Sequence, residues 1–210
     1  MAASLTDEAL DVIFRRARTF RVWLDRSVTD ETLRQLYELM KWGPTSMNCS
    51  PARILFLRTA ASKERLRPAL SPGNVQNTMA APVTAIIACD TKFYEKLPKL
   101  VPHNPNAKKI FEESPELTDV TAKRNGTLQG AYFIIAARAL GLDCGPMSGF
   151  DNSKVDQEFF GAGLERDGVC QEYGPGRLRS NFLCNLGYGD AKATKPRGPR
   201  FSFEEACRIE

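Results

Sequence analysis

The sequence contains one histidine, His103, among 210 residues. A single imidazole excludes a metal centre built from several histidines, and it leaves a serine or cysteine nucleophile only one possible histidine base. His103 lies in a polar stretch flanked by prolines, at residues 102–105, with no second histidine. We therefore expect a surface loop residue rather than a catalytic base, and we expect no metal site.

Paired cysteine motifs are also missing. The six cysteines are too widely spaced to form a CxxC unit, which excludes a zinc ribbon and a redox dithiol. Cys89 and Cys184 lie in apolar runs and are predicted core residues. Cys49 lies in a polar loop beside Ser50, where a thiol nucleophile is a disfavoured alternative because no histidine is close in sequence.

No long hydrophobic segment is present. The longest apolar run, residues 131–142, is interrupted by Arg138 and is too short to span a bilayer. The first residues show no basic segment followed by an apolar one, so we expect no signal peptide. These features predict a cytoplasmic protein without a membrane partner.

The excess of positive charge is small, with 29 lysines and arginines against 25 acidic residues. This balance does not fit a general nucleic-acid binder. The cations are clustered, with five arginines between residues 15 and 26 and four cations between residues 192 and 200. Such local clusters favour a small anion over a long polyanion. Length and composition predict a single globular domain over residues 1–210.

Hydrophobic periodicity predicts a few strands separated by helices, which indicates an α+β or α/β fold with helices covering a small sheet. The predicted strands are residues 54–57, 83–89 and 181–186. A first helix is predicted after the cap Thr6, with the apolar stripe Leu10, Ile13, Phe14 and Ala17. A second is predicted after the cap Thr29, with the stripe Leu33, Leu36, Tyr37 and Met40. Further helices are predicted at residues 62–70, 119–140, 153–160 and 202–210.

The predicted helix at residues 119–140 has the strongest pattern. It carries apolar side chains on two sides, so we expect it to be buried nearly all round. One side has Leu128, Ala131, Tyr132, Ile135, Ala136 and Ala139, and the other has Phe133, Ile134 and Ala137. The preceding residues 91–117 contain four prolines and no clear period, which predicts an insertion of turns or short helices. Such insertions often cover an active site.

Three segments have the composition of a ligand site, although each also fits an ordinary turn. Residues 18–23 place two arginines around a threonine, a combination that matches the charge and acceptor oxygens of a phosphate. Residues 42–51 form a polar loop of small residues, and residues 140–151 are rich in glycine and proline. Loops of this kind present backbone amides and short polar side chains to ligands.

The order of these segments resembles the FMN-dependent nitroreductase family. The similar motifs are Arg18-Thr19-Phe20-Arg21-Val22-Trp23, Gly43-Pro44-Thr45-Ser46-Met47-Asn48, Ala81-Pro82-Val83-Thr84-Ala85-Ile86-Ile87, the end of the long helix at 136–142 with Gly149-Phe150-Asp151, and Gly187-Tyr188-Gly189 with the basic stretch 195–200. Together they run from Phe14 to Cys207. The resemblance implies a nitroreductase-like α+β fold with a mostly antiparallel sheet, in an intertwined homodimer that holds FMN between its subunits.

The resemblance also implies which residues contact FMN. Arg18, Thr19 and Arg21 are expected to hold its phosphate and ribityl chain, and Arg200, with Arg197, is expected to reach the same phosphate. The loop residues Pro44, Thr45, Ser46 and Asn48 are expected near the flavin, and Ser148 and Gly149 are expected to give backbone contacts to the ring. No catalytic acid or base is assigned, because the cofactor carries the hydride chemistry.

The implied activity is a ping-pong transfer of hydride from NADH or NADPH through FMN to a small molecule. Residues 44–53, 79–84 and 145–151 are similar to the branch that reduces malonic semialdehyde to 3-hydroxypropionate in pyrimidine degradation. Its aldehyde substrate needs a carboxylate anchor, for which Lys108 or Lys109 in the insertion is a candidate. The alternatives are a broad nitroaromatic or quinone reductase and a non-catalytic flavin-binding protein. No GxGxxG motif follows a strand, so we expect no Rossmann nucleotide site.

Several positions depart from the family pattern. Ala17 replaces a basic residue, Ser50-Pro51-Ala52 replaces Gln-Pro-Trp, and Ser148 stands where several relatives have glutamate. The insertion at residues 91–117 has no matching counterpart. These departures fall on the segments expected to touch the cofactor or the substrate.

Overall fold

The computed structural model describes residues 4–161 and 176–210, which include five of the six cysteines but not Cys170. Their centre is one antiparallel sheet with the strand order β1-β2-β4-β3. The strands are β1 (Ala52–Leu57), β2 (Val83–Asp90), β3 (Asp143–Met147) and β4 (Leu178–Gly187). Helices cover this sheet, so the predicted α+β class is confirmed.

The first two α-helices of the described residues begin at the predicted caps. The α-helices of the described residues are α1 (Asp7–Leu10), α2 (Asp30–Met40), α3 (Ala60–Leu66), α4 (Pro72–Ala80), α5 (Leu97–Leu100), α6 (Ala107–Glu112), α7 (Pro115–Ala139), α8 (Asn152–Phe160) and α9 (Phe203–Ala206). The hydroxyl groups of Thr6 and Thr29 accept backbone hydrogen bonds at the starts of α1 and α2, as predicted. A π-helical turn, Asp11–Arg15, continues α1.

Strand β2 is the centre of the core, and all eight of its residues are buried. Its alternate side chains enter two different hydrophobic clusters, one on each face of the sheet. Ala85 and Ile87 pack with residues of α2 and α7, whereas Ile86 and Ala88 pack with residues of α3 and α8. The continuous apolar run predicted for this strand is explained by burial on both faces.

Helix α7 is buried on one side only, so the prediction that it is buried nearly all round is wrong. Phe133 and Ala137 are buried, but Leu128, Ala131 and Ala139 are exposed. Glycines let its inner side approach the sheet, because a Cβ at Gly126 would collide with Cys89 and one at Gly130 would collide with Phe182. The second apolar side of this helix is therefore a surface in the single chain.

Two elements have no counterpart among the predicted ones. Helix α4 has one buried residue, Thr78, and so it carries no apolar stripe. Strand β3 lies in the glycine- and proline-rich stretch predicted as a ligand loop or an ordinary turn, and it contains Pro146, which lacks an N–H. Proline is tolerated there because β3 is the last strand of the sheet order.

Smaller corrections concern single side chains and helix ends. Tyr37 and Phe14 were predicted in core-facing stripes, but they are 53% and 54% exposed. Helix α7 begins at Pro115, inside the predicted insertion, whose remainder forms the short helices expected. The predicted helix at residues 202–210 is the short helix α9, residues 203–206. None of the described helices combines the length and the apolar character that a membrane crossing needs.

Candidate active site

Two adjoining cavities lie where the N-terminal segment, strand β3 and the C-terminal segment meet. The larger has a volume of 660 Å³ and the smaller one of 230 Å³, and both are lined by Thr19, Phe20 and Arg21. The polar side chains of the larger cavity are Arg18, Thr19, Arg21, Arg138, Asp190, Thr194, Lys195, Arg197 and Arg200. The structure therefore brings five predicted phosphate-site residues, from opposite ends of the chain, to one cavity.

The N-terminal arginine segment is fixed by main-chain pairing with the outer side of β3. Thr19 forms a β-bridge with Cys144, and the N–H of Phe20 donates to the carbonyl of Cys144 at 3.0 Å. Close contact is possible because residue 145 is glycine, where a Cβ would lie 2.6 Å from the Phe20 carbonyl oxygen. This pairing places Arg18 and Arg21 on either side of a short extended segment.

The C-terminal basic segment is tied to the same place by arginine side chains. Arg197 Nη2 donates to the carbonyls of Arg15 and Ala17 at 2.7 and 2.8 Å. Arg18 donates in turn to the carbonyl of Lys195. The two stretches thus hold each other through hydrogen bonds that leave the guanidinium charges uncompensated.

The charge in the larger cavity matches a phosphate group. Its lining has six cationic side chains and one carboxylate, that of Asp190. Within residues 4–161 and 176–210, the five arginines of this lining form no ion pair with a carboxylate. Guanidinium groups with unused N–H donors bind phosphate oxygens strongly. The donor set therefore fits the phosphate of FMN.

The smaller cavity lies at the end of β3 and beside α4. Its lining includes the predicted residues Ser148 and Gly149, together with Asn74, Asn77 and Asn185. Asn74 Nδ2 donates to the Gly149 carbonyl at 2.9 Å, and the N–H of Ser71 donates to the same oxygen at 3.0 Å. Sequence reasoning missed Asn74 and Asn77 because α4 was not predicted; the Ser71-Pro72 pair, a typical helix start, was the available signal.

A half-buried carboxylate supports this corner. Asp143 accepts a hydrogen bond from the N–H of Gly189 at 2.8 Å, which joins β3 to the glycines that follow β4. Burial raises the pKa of Asp143, while the Gly189 hydrogen bond and the charge of Arg138 lower it. The side chain fastens the C-terminal segment as it leaves the sheet.

The predicted loop residues Pro44, Thr45, Ser46 and Asn48 line neither cavity. The loop instead lies on α7, whose buried polar side chains bind its backbone. Asn125 Oδ1 accepts from the Ser46 N–H at 2.8 Å, and Gln129 Oε1 accepts from the Ala52 N–H at 2.8 Å. Tyr132 donates to the Pro44 carbonyl at 2.9 Å.

The same loop has an unusual backbone. Met47, Asn48 and Ser50 have φ values of 50°, 50° and 39°. Non-glycine residues in the left-handed region cost energy, and they persist where surrounding contacts enforce them, often at functional sites. Pro44, Ser46 and Asn48 are exposed, and Asn48 Nδ2 donates to the Leu100 carbonyl at 3.0 Å.

The remaining candidates lie outside this site. Cys49 is buried, and burial raises the pKa of its thiol to about 11, which does not suit a nucleophile.

His103 is exposed between α5 and α6, as predicted. Lys108 and Lys109 pair with Glu112 and Glu113 at 3.7 and 3.6 Å on the surface of α6. In the described part of the chain, no three metal-ligating side chains cluster.

Fold and site together define an α+β protein with a cation-rich cavity that continues into a narrower one. The chain belongs to the nitroreductase family, whose family model matches residues 14–168. It is 57% identical over 206 residues to a protein of Cupriavidus pinatubonensis that is named as an NADH dehydrogenase or NAD(P)H nitroreductase. That match covers 97% of this chain and 98% of the relative.

Solved structures share the same fold. A nitroreductase from Bacillus subtilis superposes with a TM-score of 0.82 at 18% identity, covering 98% of this chain and 100% of its own. One from Exiguobacterium sibiricum, described as a complex with FMN, superposes with a TM-score of 0.80 at 19% identity and full coverage of both chains.

Proposed function

We propose that this protein is an FMN-dependent NAD(P)H oxidoreductase. The observation that carries the proposal is the pair of joined cavities, one lined by unpaired arginines and the other by amides and small residues. FMN has the same division into a phosphate tail and a flat polar ring. Family membership supports the assignment, as does the FMN complex of a protein of the same fold.

The chain's own residues divide the task of holding the cofactor. Arg18, Arg197 and Arg200 bind the phosphate from both ends of the sequence, and Thr19 supplies a hydroxyl group. Arg21 is the only cation among the described residues lining the smaller cavity, so it places positive charge beside the ring. When bound, FMN supplies the hydride chemistry, accepting hydride from NADH or NADPH and passing it to an acceptor.

We propose that the working form is an intertwined homodimer. Pro44, Ser46 and Asn48 are exposed and line neither cavity of their own chain, so we assign them to the site of a second copy. The outer side of α7 exposes Val120 and Leu128. The C-terminal segment exposes Phe201, Phe203 and Ile209, at 79%, 55% and 84%. These exposed apolar side chains are the ones that we assign to the interface between the two copies.

The proposed substrate is malonic semialdehyde, reduced to 3-hydroxypropionate. The support is the likeness of residues 44–53, 79–84 and 145–151 to the branch with that activity. The second candidate is a nitroaromatic or quinone reductase, favoured by the name of the 57% identical relative. Steady-state rates with malonic semialdehyde and with a nitrofuran separate the two, since a much faster nitrofuran turnover contradicts the aldehyde assignment.

The redox role itself is tested by absorption spectroscopy of the purified protein. We expect a bound flavin spectrum that NADH or NADPH bleaches and that an electron acceptor restores. A flavin that stays oxidised in the presence of both nucleotides would instead indicate a non-catalytic flavin-binding protein.

A further inference from the structure

A third cavity, separate from the two described above, has a strongly cationic lining. Its volume is 560 Å³, within the range of roughly 300–1,000 Å³ typical of small-molecule sites. It lies at the β1 edge of the sheet, between α2, the loop at residues 44–50 and the segment around α5. Among the described residues, it shares no lining residue with the cavities assigned to FMN. In the strand order, the FMN cavities lie at the opposite, β3 edge.

The lining divides into charged, polar and apolar parts. The cations are Lys41, Arg53, Lys96 and Lys99, the polar groups are Tyr37, Ser50 and Gln129, and the apolar side chains are Met40, Ala52, Ile54, Phe56 and Leu100. None of the described residues of this lining is acidic. The cavity therefore combines positive charge with an apolar floor, which suits an organic anion with a short carbon body.

The four cations are not equivalent. Arg53 pairs at 3.0 Å with the fully buried Asp90, a carboxylate that Arg177 also contacts at 2.8 Å, so the guanidinium of Arg53 is already engaged inside the protein. Lys41 pairs with Glu38 on the surface of α2. Lys99 forms no ion pair with any residue of the described ranges 4–161 and 176–210, and it is exposed at the cavity. An anion that enters the cavity can therefore pair with the Lys99 ammonium group without displacing a carboxylate of the protein.

Small side chains keep this cavity open. Ser50 and Ala52 occupy the positions on either side of Pro51 at the start of β1, and both line the cavity. The backbone there is fixed, because the Ala52 N–H donates to Gln129 and the Ser50 N–H donates to Thr45 Oγ1 at 3.2 Å. Hydrogen bonds therefore hold this wall of the cavity in place, and Ser50 is kept at a φ of 39°.

We propose that this cavity binds the carboxylate of the substrate, with Lys99 as its main anchor and Lys41 as a second cation of the same lining. The inference deepens the proposed function and rests on it, since the loop that walls the cavity is the one proposed to complete the flavin site of a second copy. Ser50 of that loop lines the same cavity as Lys99, so a short substrate held at Lys99 lies in a cavity that the loop walls. The substrate class is a small organic carboxylate, and the anchor is Lys99 rather than Lys108 or Lys109.

The first test is equilibrium binding of malonate, a stable dicarboxylate, measured by calorimetry on the wild-type protein with and without FMN. We expect saturable binding that Lys99→Gln weakens by about ten-fold, the effect of losing one partly exposed charge-assisted hydrogen bond. Lys108→Gln is the matched control, since it removes a lysine from the same insertion outside the cavity. Equal malonate binding by all three proteins, or none by the wild type, overturns the proposal.

The second test compares two acceptors that differ in one carboxylate, 4-nitrobenzoate and nitrobenzene. We expect Lys99→Gln to lower kcat/KM for 4-nitrobenzoate, mainly through KM, and to leave nitrobenzene unchanged. An equal loss of kcat/KM for both acceptors would show that Lys99 has a general structural role, and it would overturn the proposal that Lys99 anchors the carboxylate. If the wild-type protein binds no flavin, the proposed function is contradicted. The malonate binding measured without FMN then still tests whether Lys99 binds a carboxylate.

Discussion

The guanidinium group of Arg197 donates a hydrogen bond of 2.8 Å to the backbone carbonyl of Ala17, 180 positions earlier in the chain. This contact joins the two arginine-rich stretches that the sequence shows as separate clusters. Ala17 has no charged side chain, but its carbonyl anchors an arginine from the other end of the chain. The cavity therefore keeps a full set of cations without a basic residue at position 17.

Gly145 sets how closely the arginine segment approaches β3. In Gly145→Ala the new Cβ would lie 2.6 Å from the Phe20 carbonyl oxygen, a backbone atom that cannot rotate away. We expect a loss of about 1–3 kcal/mol in the free energy of unfolding and weaker FMN binding. Gly73→Ala is the control, because no atom of the described residues lies within 4 Å of the Cβ that alanine would add there. Unchanged FMN affinity in Gly145→Ala would show that the segment does not need this pairing.

Asn125 holds the strained loop through its side chain. In Asn125→Ala the part-buried Ser46 N–H loses its acceptor, and we expect a loss of about 1 kcal/mol in the free energy of unfolding. We also expect weaker FMN binding, because the loop no longer keeps its left-handed residues in place. Lys123→Ala, on the exposed side of the same helix, should change neither property in chemical denaturation or FMN titration.

Mixed dimers test whether the loop works in the partner's site. One variant lacks the arginines, as Arg18→Ala with Arg21→Ala, and the other lacks the loop side chains, as Ser46→Ala with Asn48→Ala. If each site uses the arginines of one copy and the loop of the other, a mixed dimer contains one intact site. We expect co-refolded variants to show FMN-dependent activity that neither variant has alone. Activity absent from the mixture would place the loop outside the site.

Asp143 makes stability depend on pH. Burial raises its pKa in the folded state above the ordinary value for aspartate, so folding disfavours the ionised form. Its contribution is therefore most favourable below that ordinary value and is lost as the pH rises through the folded-state pKa. We expect Asp143→Asn, whose amide oxygen still accepts from Gly189, to show a smaller change in unfolding free energy across this acidic range than the wild type. Identical pH profiles in denaturant titrations of the two proteins would contradict this expectation.

Much of the fold could be predicted from local patterns. Strand β2 is recognisable because burial on both faces demands an unbroken apolar run, and α2 because Thr29 caps it ahead of Leu33, Leu36 and Met40. The arginine clusters at both ends predicted an anion site, and the structure brings them to one cavity. Their contact with FMN stays a prediction.

The rest depends on tertiary contacts that leave little trace in the sequence. Strand β3 is stabilised by pairing with β4 on one side and a bridge to Thr19 on the other, which offset its glycine and proline. Helix α4 buries only Thr78, so Asn74 and Asn77 could not be placed. Periodicity predicts burial for the outer side of α7 because it also carries apolar residues, and the pattern alone does not distinguish an apolar side that is buried in the chain from one that is exposed on it.

The most direct test of the FMN site is a titration of the apoprotein with FMN, followed by flavin fluorescence, in the wild type and in Arg18→Ala with Arg21→Ala. If arginines from both ends of the chain hold the phosphate, the double variant should bind FMN at least about a hundred-fold more weakly, while its circular dichroism and melting temperature stay close to those of the wild type. Riboflavin, which lacks the phosphate, should lose much less affinity than FMN in the double variant, because only the contribution of Arg21 beside the ring is removed. Equal FMN affinity in the two proteins would contradict the central claim.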